Sequence, residues 1–366
     1  MSKKSSYYLR WYSDAGDPYD FPGMIHKMDL VRAENKVGVC SVTVPRGKLQ
    51  YTDLKVDQIF EVWRNKNNTD ALQNETAYFV RDWEFYTDSE GRELVTVFGY
   101  DANYLLDGAI VGYAAASAQA DKTDYADDMI KAIVSENLGA DAVAARQKIT
   151  VAGDLSAAAS ITKGFSWRNV LRVCQEIAEK STEDGTYLVF DVVRTNPATF
   201  ELRTYTGQRG NDHGRTSSDV RLVGKQYGNL EGERLGTYHS DEINYVYVGG
   251  EGEEAARTIV ERTAAARVNA SAWNRREAFR DARNTKTTAG LQAEGDAVLD
   301  AKSPKQIMTG RLRDTAGMRY GIEYGFGDIV SVEAFGYFVD CHVATVRQTV
   351  TPDAGEQIDV RLRGEL

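Results

Sequence analysis

Short alternating runs in the first hundred residues predict an antiparallel sheet. Apolar, aromatic and β-branched residues alternate with polar ones in residues 7–12, 37–44, 58–64, 77–87 and 92–100. Such runs are typical of strands with one buried face. Between the last two runs, residues 88–91 read Asp-Ser-Glu-Gly, which favours a hairpin turn because glycine adopts positive φ easily. Strands joined by tight turns predict an all-β, barrel-like first domain over residues 1–105.

The period changes towards 3.6 after the first domain. Residues 123–139 place apolar side chains on one helical face, with Thr123 as the expected N-cap and Gly139 as the end. Asp127 and Asp128 suit the positive end of the helix dipole. This segment predicts the first helix of an α+β domain spanning residues 106–215.

A second helix and a hairpin complete that domain. Residues 165–181 predict a helix capped by Ser166, with Phe165 packing onto Val170 and with Trp167 in the buried stripe. Two alternating runs, 186–193 and 198–205, predict paired strands. The glycine-rich segment 207–219 is typical of a loop or linker.

Strand patterns return and define a third domain over residues 216–366. Runs at 220–226, 242–249, 328–334, 336–350 and 356–363 predict strands, and residues from 256 onward favour a strand over a helix. One short helix is expected from Thr288, with Leu291, Val298 and Leu299 inward. The fold class is therefore mainly β: two antiparallel β-barrel-like domains flank a helix-plus-hairpin domain.

Composition limits the function. The 366-residue chain carries a formal net charge of −10, which argues against general affinity for nucleic acid or anionic membrane. No long apolar run predicts a membrane-spanning segment, and the N-terminus lacks the apolar core of a signal peptide. Cys40, Cys174 and Cys341 lie far apart and are expected to be small buried hydrophobes. We expect a soluble protein made in a cytosol.

No residue set in the sequence is typical of catalysis. The G-x-S-x-G, H-E-x-x-H and P-loop signatures are absent, and the Gly-x-Gly at 325–327 precedes a strand, contrary to a dinucleotide fold. His213 has an acidic neighbour but lies in a polar loop, where solvation is expected. Asp82 and Glu84 share a strand face and are expected to be its polar side, although paired carboxylates can cleave glycosidic bonds.

The sequence gives no reason to expect a metal or a cofactor. Asp14, Asp17 and Asp20 offer oxygen ligands but lack the alternating spacing of a calcium loop. We therefore predict no enzyme activity and no cofactor.

The order of several short motifs resembles siphophage tail hub, or baseplate hub, proteins. They are the turn Gly-Asn-Leu at 228–230, INYVYVGGEG at 243–252, RREAFRDARN at 275–284, the strand GDIVSV at 327–332 and FGYDANYLLDGAIVGY at 98–113. These proteins are the non-enzymatic hub region of tail-associated proteins. Many relatives carry arginines where this chain has Gly108 and Ala109, so no charge-based role is transferred to that turn.

The resemblance implies a structural role in the virion. Such hubs resemble homotrimers in which each chain supplies two β-barrels, so that six barrels adapt the six-fold tail tube to a three-fold tip, spike or fibre. The implied partners are a distal tail or tail tube protein, the tape measure protein and a tail fibre or spike, with DNA passing through the lumen without specific binding. Assembly is expected in the host cytoplasm.

Two alternatives stay open at this point. One is a tail-associated cell-wall-degrading enzyme, although the last strand pattern ends close to Leu366 and no appended catalytic domain is expected. The other is a carbohydrate- or receptor-binding β-module.

Two groups of residues are candidates for subunit interfaces. Tyr238, Tyr245 and Tyr247 are extended aromatics in a predicted barrel wall, although they could also pack only within their own barrel. Arginines outnumber acids between residues 255 and 283, and Arg275, Arg276 and Arg280 are the interface candidates there. They could contact an acidic neighbour, line the DNA channel or form a solvated strand face.

Overall fold

The computed structural model describes residues 6–19, 25–47, 49–65, 72–112, 120–165, 167–283, 285 and 287–365. In these ranges the chain is mainly β, as predicted. The strands are β1 Ser6–Tyr12, β2 Pro18–Tyr19, β3 Lys27–Ala33, β4 Val39–Pro45, β5 Ile59–Asn65, β6 Leu72–Thr87, β7 Glu93–Asp101, β8 Ala120–Tyr125, β9 Thr150–Val151, β10 Ser160–Phe165, β11 Leu188–Asn196, β12 Thr199–Thr206, β13 Asp212–His213, β14 Leu222–Gly224, β15 Leu230–Tyr238, β16 Tyr245–Gly249, β17 Ile259–Thr263, β18 Glu277–Asp281, β19 Lys305–Leu312, β20 Ile329–Ala334, β21 Tyr337–Thr351 and β22 Gly355–Glu365. The helices are α1 Tyr104–Asp107, α2 Ala126–Leu138, α3 Val170–Glu183, α4 Ala265–Val268 and α5 Thr288–Ala301, with 3-10 turns at Tyr51–Asp53, Ala144–Arg146, Lys225–Tyr227 and Glu254–Ala256.

One long sheet runs through both ends of the chain. Its strand order is β15-β19-β22-β21-β3-β4-β7-β6-β5-β1-β2, and β20 joins it beside β21, with β13 and β14 beside β20. The pairing of β21 with β3 joins the N-terminal strands to the C-terminal ones, through residues 345–350 and 28–33. Two separate barrels were expected from the sequence; the described strands instead pair along one open path, without a closed barrel.

The length of β21 explains the continuous path. Residues 337–342 of this strand pair with β20, residues 342–351 pair with β22, and residues 345–350 also pair with β3. Val343 and Val346 belong to the apolar core of the C-terminal strands, whereas Val350 packs against the N-terminal core. One strand therefore contributes to two cores, which hydrophobic alternation alone does not reveal.

The predicted helices and hairpin lie between these two groups of strands. The apolar faces of α2 and α3 pack with the sheet β11-β12-β9 in one core. Three details of the prediction are wrong or lie outside the described residues. Thr123 is in β8, where its hydroxyl lies 2.8 Å from that of Thr162, so it does not cap α2. Trp167 is 62% exposed and is not in the buried stripe. The predicted cap Ser166 lies outside the described residues. Asn169 caps α3, because its side chain accepts a hydrogen bond from the Arg172 N–H at 3.0 Å.

The third region contains an inserted α+β unit, which was not expected. The chain leaves the long sheet after β15, forms the three-stranded sheet β17-β16-β18 and α5, and returns at β19. We call residues 239–304 the insert. The 242–249 run was expected in a barrel wall, and this was wrong: β16 is the centre of a separate sheet with its own core, formed with Leu291 and Leu299 of α5.

Candidate interaction surface

Tyr245 and Tyr247 lie on one face of β16. Because side chains alternate along a strand, Val246 and Val248 point to the opposite face, where α5 buries both completely. The two tyrosine rings are 5.1 Å apart between centroids and tilted by 53°. The two tyrosines therefore share one face of the sheet, and their role in a subunit interface stays a prediction.

Arg275 contacts both tyrosines. Its guanidinium carbon lies 3.7 Å from the Tyr245 ring centroid, within cation–π range, and its Nη2 donates to the Tyr247 hydroxyl at 3.1 Å. The Tyr245 hydroxyl donates to the Glu261 carboxylate, and this hydrogen bond raises the pKa of the Tyr245 phenol. The hydrogen bond to Glu277 likewise raises the pKa of Arg275, which stays charged. The structure thus brings together two tyrosines and one arginine of the predicted set.

The same face carries further apolar side chains that sequence reasoning missed. Phe279 of β18 is 56% exposed and lies opposite Tyr247, and Ile259 of β17 is 47% exposed and lies opposite Gly249. The Arg257 guanidinium lies 5.0 Å from the Phe279 ring centroid. We call this face, formed by Tyr245, Tyr247, Ile259, Phe279, Arg257 and Arg275, the aromatic face.

Gly249 makes that arrangement possible. A Cβ at this position would lie 2.6 Å from both the Arg257 side chain and the Phe279 ring. The arginine and the ring can approach each other over the end of β16 only because residue 249 has no side chain. The sequence signal that could have placed Phe279 on this face is its alternation with Ala278 and Arg280. This alternating run is short and is easily mistaken for part of a helix.

The cationic patch expected from the arginines is mostly neutralised within the insert. The pairs join the sheet to α5 or connect neighbours on one face: Arg257–Asp281, Arg262–Asp296, Arg275–Glu277, Arg280–Glu294 and Arg283–Asp281. Arg262 makes a bidentate pair, at 2.7 and 2.9 Å, with the Asp296 carboxylate. Arg276 is exposed, and its side chain has no ion-pair partner among the described residues. A solvated strand face was one of the alternatives; most of these pairs are exposed, and the role of the arginines stays a prediction.

Tyr238 is not part of the aromatic face. It ends β15 in the long sheet, is 56% exposed, and its ring lies over Gly236, where a Cβ would come within 2.6 Å of the ring hydroxyl. Residues 239–244 separate it from β16. The structure therefore divides the predicted tyrosines between two surfaces.

The long sheet and the sheet of the insert both end in edge strands. Within the described part of the chain, β15 pairs with β19, and β1 pairs with β5 and, over two residues, with β2. Among the described residues of the insert, β17 and β18 each pair only with β16. Unpaired strand edges expose backbone donors and acceptors that another chain can bind.

The catalytic candidates from the sequence occupy structural positions. His213 was expected to be solvated, but it is buried in β13, where its Nδ1 lies 2.9 Å from the Asp219 carbonyl and its Nε2 lies 3.7 Å from the Asp328 carboxylate. Asp82 and Glu84 are exposed on one face of β6, while Trp83 packs towards the core, as expected.

The described ranges contain no group of three or more potential metal ligands, and Asp20 of the predicted acidic cluster lies outside them. No helix in these ranges is both long and apolar enough to span a membrane.

A polar cluster lies where the long sheet meets the α+β region. Asp101 is buried, accepts a hydrogen bond from the Asn103 N–H at 3.1 Å, and has a pKa raised to about 8, chiefly by burial and then by the nearby Asp191. Burial also raises the pKa of Glu34 to about 6, and the hydroxyl of Tyr187 donates to its carboxylate at 2.7 Å. Residues of the long sheet and of the α+β region, among them Arg32, Asn103 and Asp191, line the same small pocket.

Residues 24–362 match the model of a protein family described as Siphovirus ReqiPepy6 Gp37-like protein. No sequence among the curated proteins matches the chain. The match confirms the resemblance to siphophage tail proteins that the motif order indicated.

Three solved structures of tail proteins share the fold over nearly the whole chain. The 43 kDa tail protein of prophage MuSo2 from Shewanella oneidensis is 13% identical, with a TM-score of 0.55 and coverage of 98% of each chain. The tail protein from Neisseria meningitidis MC58 is 13% identical, with a TM-score of 0.53 and coverage of 98% of this chain and 96% of that one. Prophage tail protein gp18 from Listeria monocytogenes EGD-e is 10% identical, with a TM-score of 0.53 and coverage of 97% and 94%.

Proposed function

This chain belongs to the Siphovirus ReqiPepy6 Gp37-like protein family, and we propose that it is a structural hub at the tip of a phage tail. Three copies form a ring around the tail axis. The ring adapts a six-fold tail tube to a three-fold tip, spike or fibre and surrounds the channel for the tape measure protein and DNA. A distal tail or tail tube protein lies on one side of the ring.

The observation that carries this proposal is the open path of the long sheet. Each chain places two groups of strands on one sheet, joined through the β3 and β21 ladder. At the two ends of the path lie edge strands, β15 at one end and β1 with the two-residue β2 at the other. An edge of one copy that binds the other edge of the next copy is a head-to-tail contact, which generates a ring if the rotation closes.

The charge of the chain is consistent with a channel wall. A net charge of −10 repels DNA phosphates, so a polymer in the lumen experiences no sequence-independent attraction from the chain as a whole. A hub of this kind requires complementary interfaces and no reactive side chain. We propose that Tyr238, which lies at the end of β15, contributes to the contact between copies.

Paired cysteines at the two edges test the proposal. We expect that a variant with Tyr8→Cys in β1 and Tyr238→Cys in β15, treated with a short bis-maleimide, gives crosslinked dimers and trimers but no longer products. Both positions are exposed. Background reaction is low because the native cysteines are buried, and burial raises the pKa of the Cys174 and Cys341 thiols to about 12.

The single-cysteine variants are the matched controls. In a head-to-tail ring, Tyr8→Cys alone and Tyr238→Cys alone place no two identical positions side by side, so neither variant gives a ladder. Absence of intermolecular product in the double variant, or a ladder that continues past three copies, contradicts the proposal.

A further inference from the structure

We propose that the outer edge of β18 is a docking site for an extended acidic segment of another protein, which adds a fourth strand to the sheet of the insert. The proposal does not depend on the trimeric ring. It rests on the backbone of β18, on the side chains on each side of it and on the local charge.

The backbone groups on this edge are available for pairing. The Arg276 carbonyl accepts from the Tyr245 N–H at 3.0 Å, and the Ala282 N–H donates to the Gly249 carbonyl at 2.8 Å, so the even-numbered residues of this segment face β16. In a parallel ladder, alternate residues direct both backbone groups to opposite neighbours. Glu277, Phe279 and Asp281 therefore direct their N–H and C=O groups outward, and no described strand pairs with them.

The side chains beside the edge differ between the two faces of the sheet. Phe279 is on the aromatic face, 56% exposed, while Arg280 is on the face of α5, where its Nε and Nη2 bind Glu294 at 3.1 and 3.0 Å. By alternation, Arg276 lies on the same face as Arg280. An added strand would place every second side chain near Phe279 and the others near Arg276 and Arg280. The edge thus fits a segment in which apolar and acidic residues alternate.

The local charge complements such a segment. Residues 275–283 contain four arginines and two acidic residues, which gives +2 in a chain whose net charge is −10. Arg276 has no ion-pair partner in the described ranges, and the pairs of Arg275, Arg280 and Arg283 are exposed. Exposed pairs contribute little and exchange partners easily, so an incoming carboxylate can recruit these arginines.

A nucleic acid fits this edge less well than an acidic strand. It has no peptide N–H and C=O groups to pair with the outward backbone groups of β18. Binding of a nucleic acid is accordingly one of the outcomes that the test must separate.

The probe is a fluorescent peptide in which glutamate alternates with valine, titrated against the full chain and followed by anisotropy. The proposal predicts saturable binding that weakens as salt is raised, with no binding of the peptide in which lysine replaces glutamate. Phe279→Pro removes a backbone N–H that points outward, and it keeps the backbone hydrogen bonds between β18 and β16. Because the peptide loses one hydrogen-bond donor, binding should weaken at least tenfold. Phe279→Ala keeps the N–H and should bind more tightly than Phe279→Pro.

Charge reversal supplies a second arm. Arg276→Glu should weaken peptide binding about fivefold or more, whereas Arg172→Glu, an exposed position on α3, should leave it unchanged. If Phe279→Pro fails to fold, hydrogen exchange of the unsubstituted chain replaces it: the Phe279 amide should exchange more slowly when the peptide is bound.

Five results would contradict the docking of an acidic segment on β18. The proposal is overturned by a lack of acidic-peptide binding, by equal binding of the lysine peptide, by preferential binding of a single-stranded thymidine oligonucleotide, or by slowed exchange confined to residues outside β18. If Phe279→Pro instead changes only the mass of the assembly, β18 contacts a second copy of the chain and the acidic-partner proposal is wrong.

Discussion

Arg64 and Glu356, which lie at opposite ends of the sequence, form a salt bridge between β5 and β22. The Nε–Oε1 distance is 2.6 Å, and the Arg64 side chain is only 4% exposed. Its Nη1 also donates to the Tyr320 carbonyl at 2.8 Å, and the Tyr7 hydroxyl binds the same carboxylate. The N-terminal and C-terminal strands are therefore connected by a buried charge network as well as by the β3 and β21 ladder.

We expect Arg64→Met to lower the free energy of unfolding by about 3 kcal/mol, because it leaves the Glu356 carboxylate without its main partner in a largely buried site. Urea denaturation measures the change. The double variant Arg64→Met with Glu356→Leu should be more stable than Arg64→Met alone, since it removes the unpaired charge. Equal stability of the two variants would show that the pair makes no coupled contribution.

The polar cluster around Asp101 predicts a pH dependence of stability. The pKa of the folded state, about 8, exceeds the ordinary value of 3.8, so the unfolded chain releases this proton first. The stability contribution is present below about pH 4 and is lost as the pH rises through 8. Relative to Asp101→Asn, the unsubstituted chain should lose up to about 6 kcal/mol between these limits, at about 1.4 kcal/mol per pKa unit.

Urea titrations of both proteins at several pH values test that prediction. Glu34, whose pKa is raised to about 6, contributes the same pH dependence to the unsubstituted chain and to Asp101→Asn. The difference between their free energies of unfolding therefore reports on Asp101. A difference that stays constant from pH 4 to pH 8 would mean that Asp101 titrates normally in the folded protein.

Asp128 stabilises the loop that precedes β10. Its carboxylate accepts from the Leu155 and Ser156 N–H groups, each at 2.9 Å, and from the Lys131 Nζ at 3.0 Å. Asp128→Ala should cost about 3 kcal/mol, because the buried Lys131 ammonium and the two backbone donors lose their acceptor. Burial raises the pKa of Asp128, but these hydrogen bonds outweigh it and lower the pKa overall. The unsubstituted chain should therefore be more stable than Asp128→Asn at neutral pH, and this difference in stability should be lost as the pH falls below about 3.8.

Gly295 determines how closely α5 packs on the sheet of the insert. A Cβ there would lie 2.5 Å from the Arg262 Cγ and 2.9 Å from the Val248 Cγ2. We expect Gly295→Leu to destabilise the insert by about 2 kcal/mol, despite the better helix propensity of leucine. Hydrogen exchange should show faster exchange in β16 and β17 with little change in β3 and β4. Ala297→Leu, at an exposed position of the same helix, is the matched control and should leave both groups unchanged.

The local pattern of apolar and polar residues was sufficient to predict most strands and the apolar faces of α2 and α3. Burial of one face of an element leaves a clear period in its sequence. The local pattern was insufficient where contacts are distant in sequence. Residues 120–125 contain the Thr123 that was expected to begin a helix, yet they form β8 because β10 supplies their partner. Likewise, β15 and β19 are mostly polar and partly exposed, so their alternation is weak, and their pairing across the insert has no local signal.

The candidate surface was only partly predictable for the same reason. The tyrosine pair follows from alternation within one strand, whereas the contact of Arg275 with Tyr245 and of Arg257 with Phe279 depends on strands brought together by the fold. The separation of Tyr238 from Tyr245 depends on the insert, which composition does not distinguish from the surrounding strands.

The most direct test of the hub proposal is the copy number and position of this chain in the tail. A reconstruction of isolated tails without imposed symmetry, with a small tag in the exposed turn at residues 88–91, measures both. The account predicts three tags related by three-fold rotation about the tail axis, at the tip and around the channel. One tag or six tags per tail, or a position away from the axis, would contradict it.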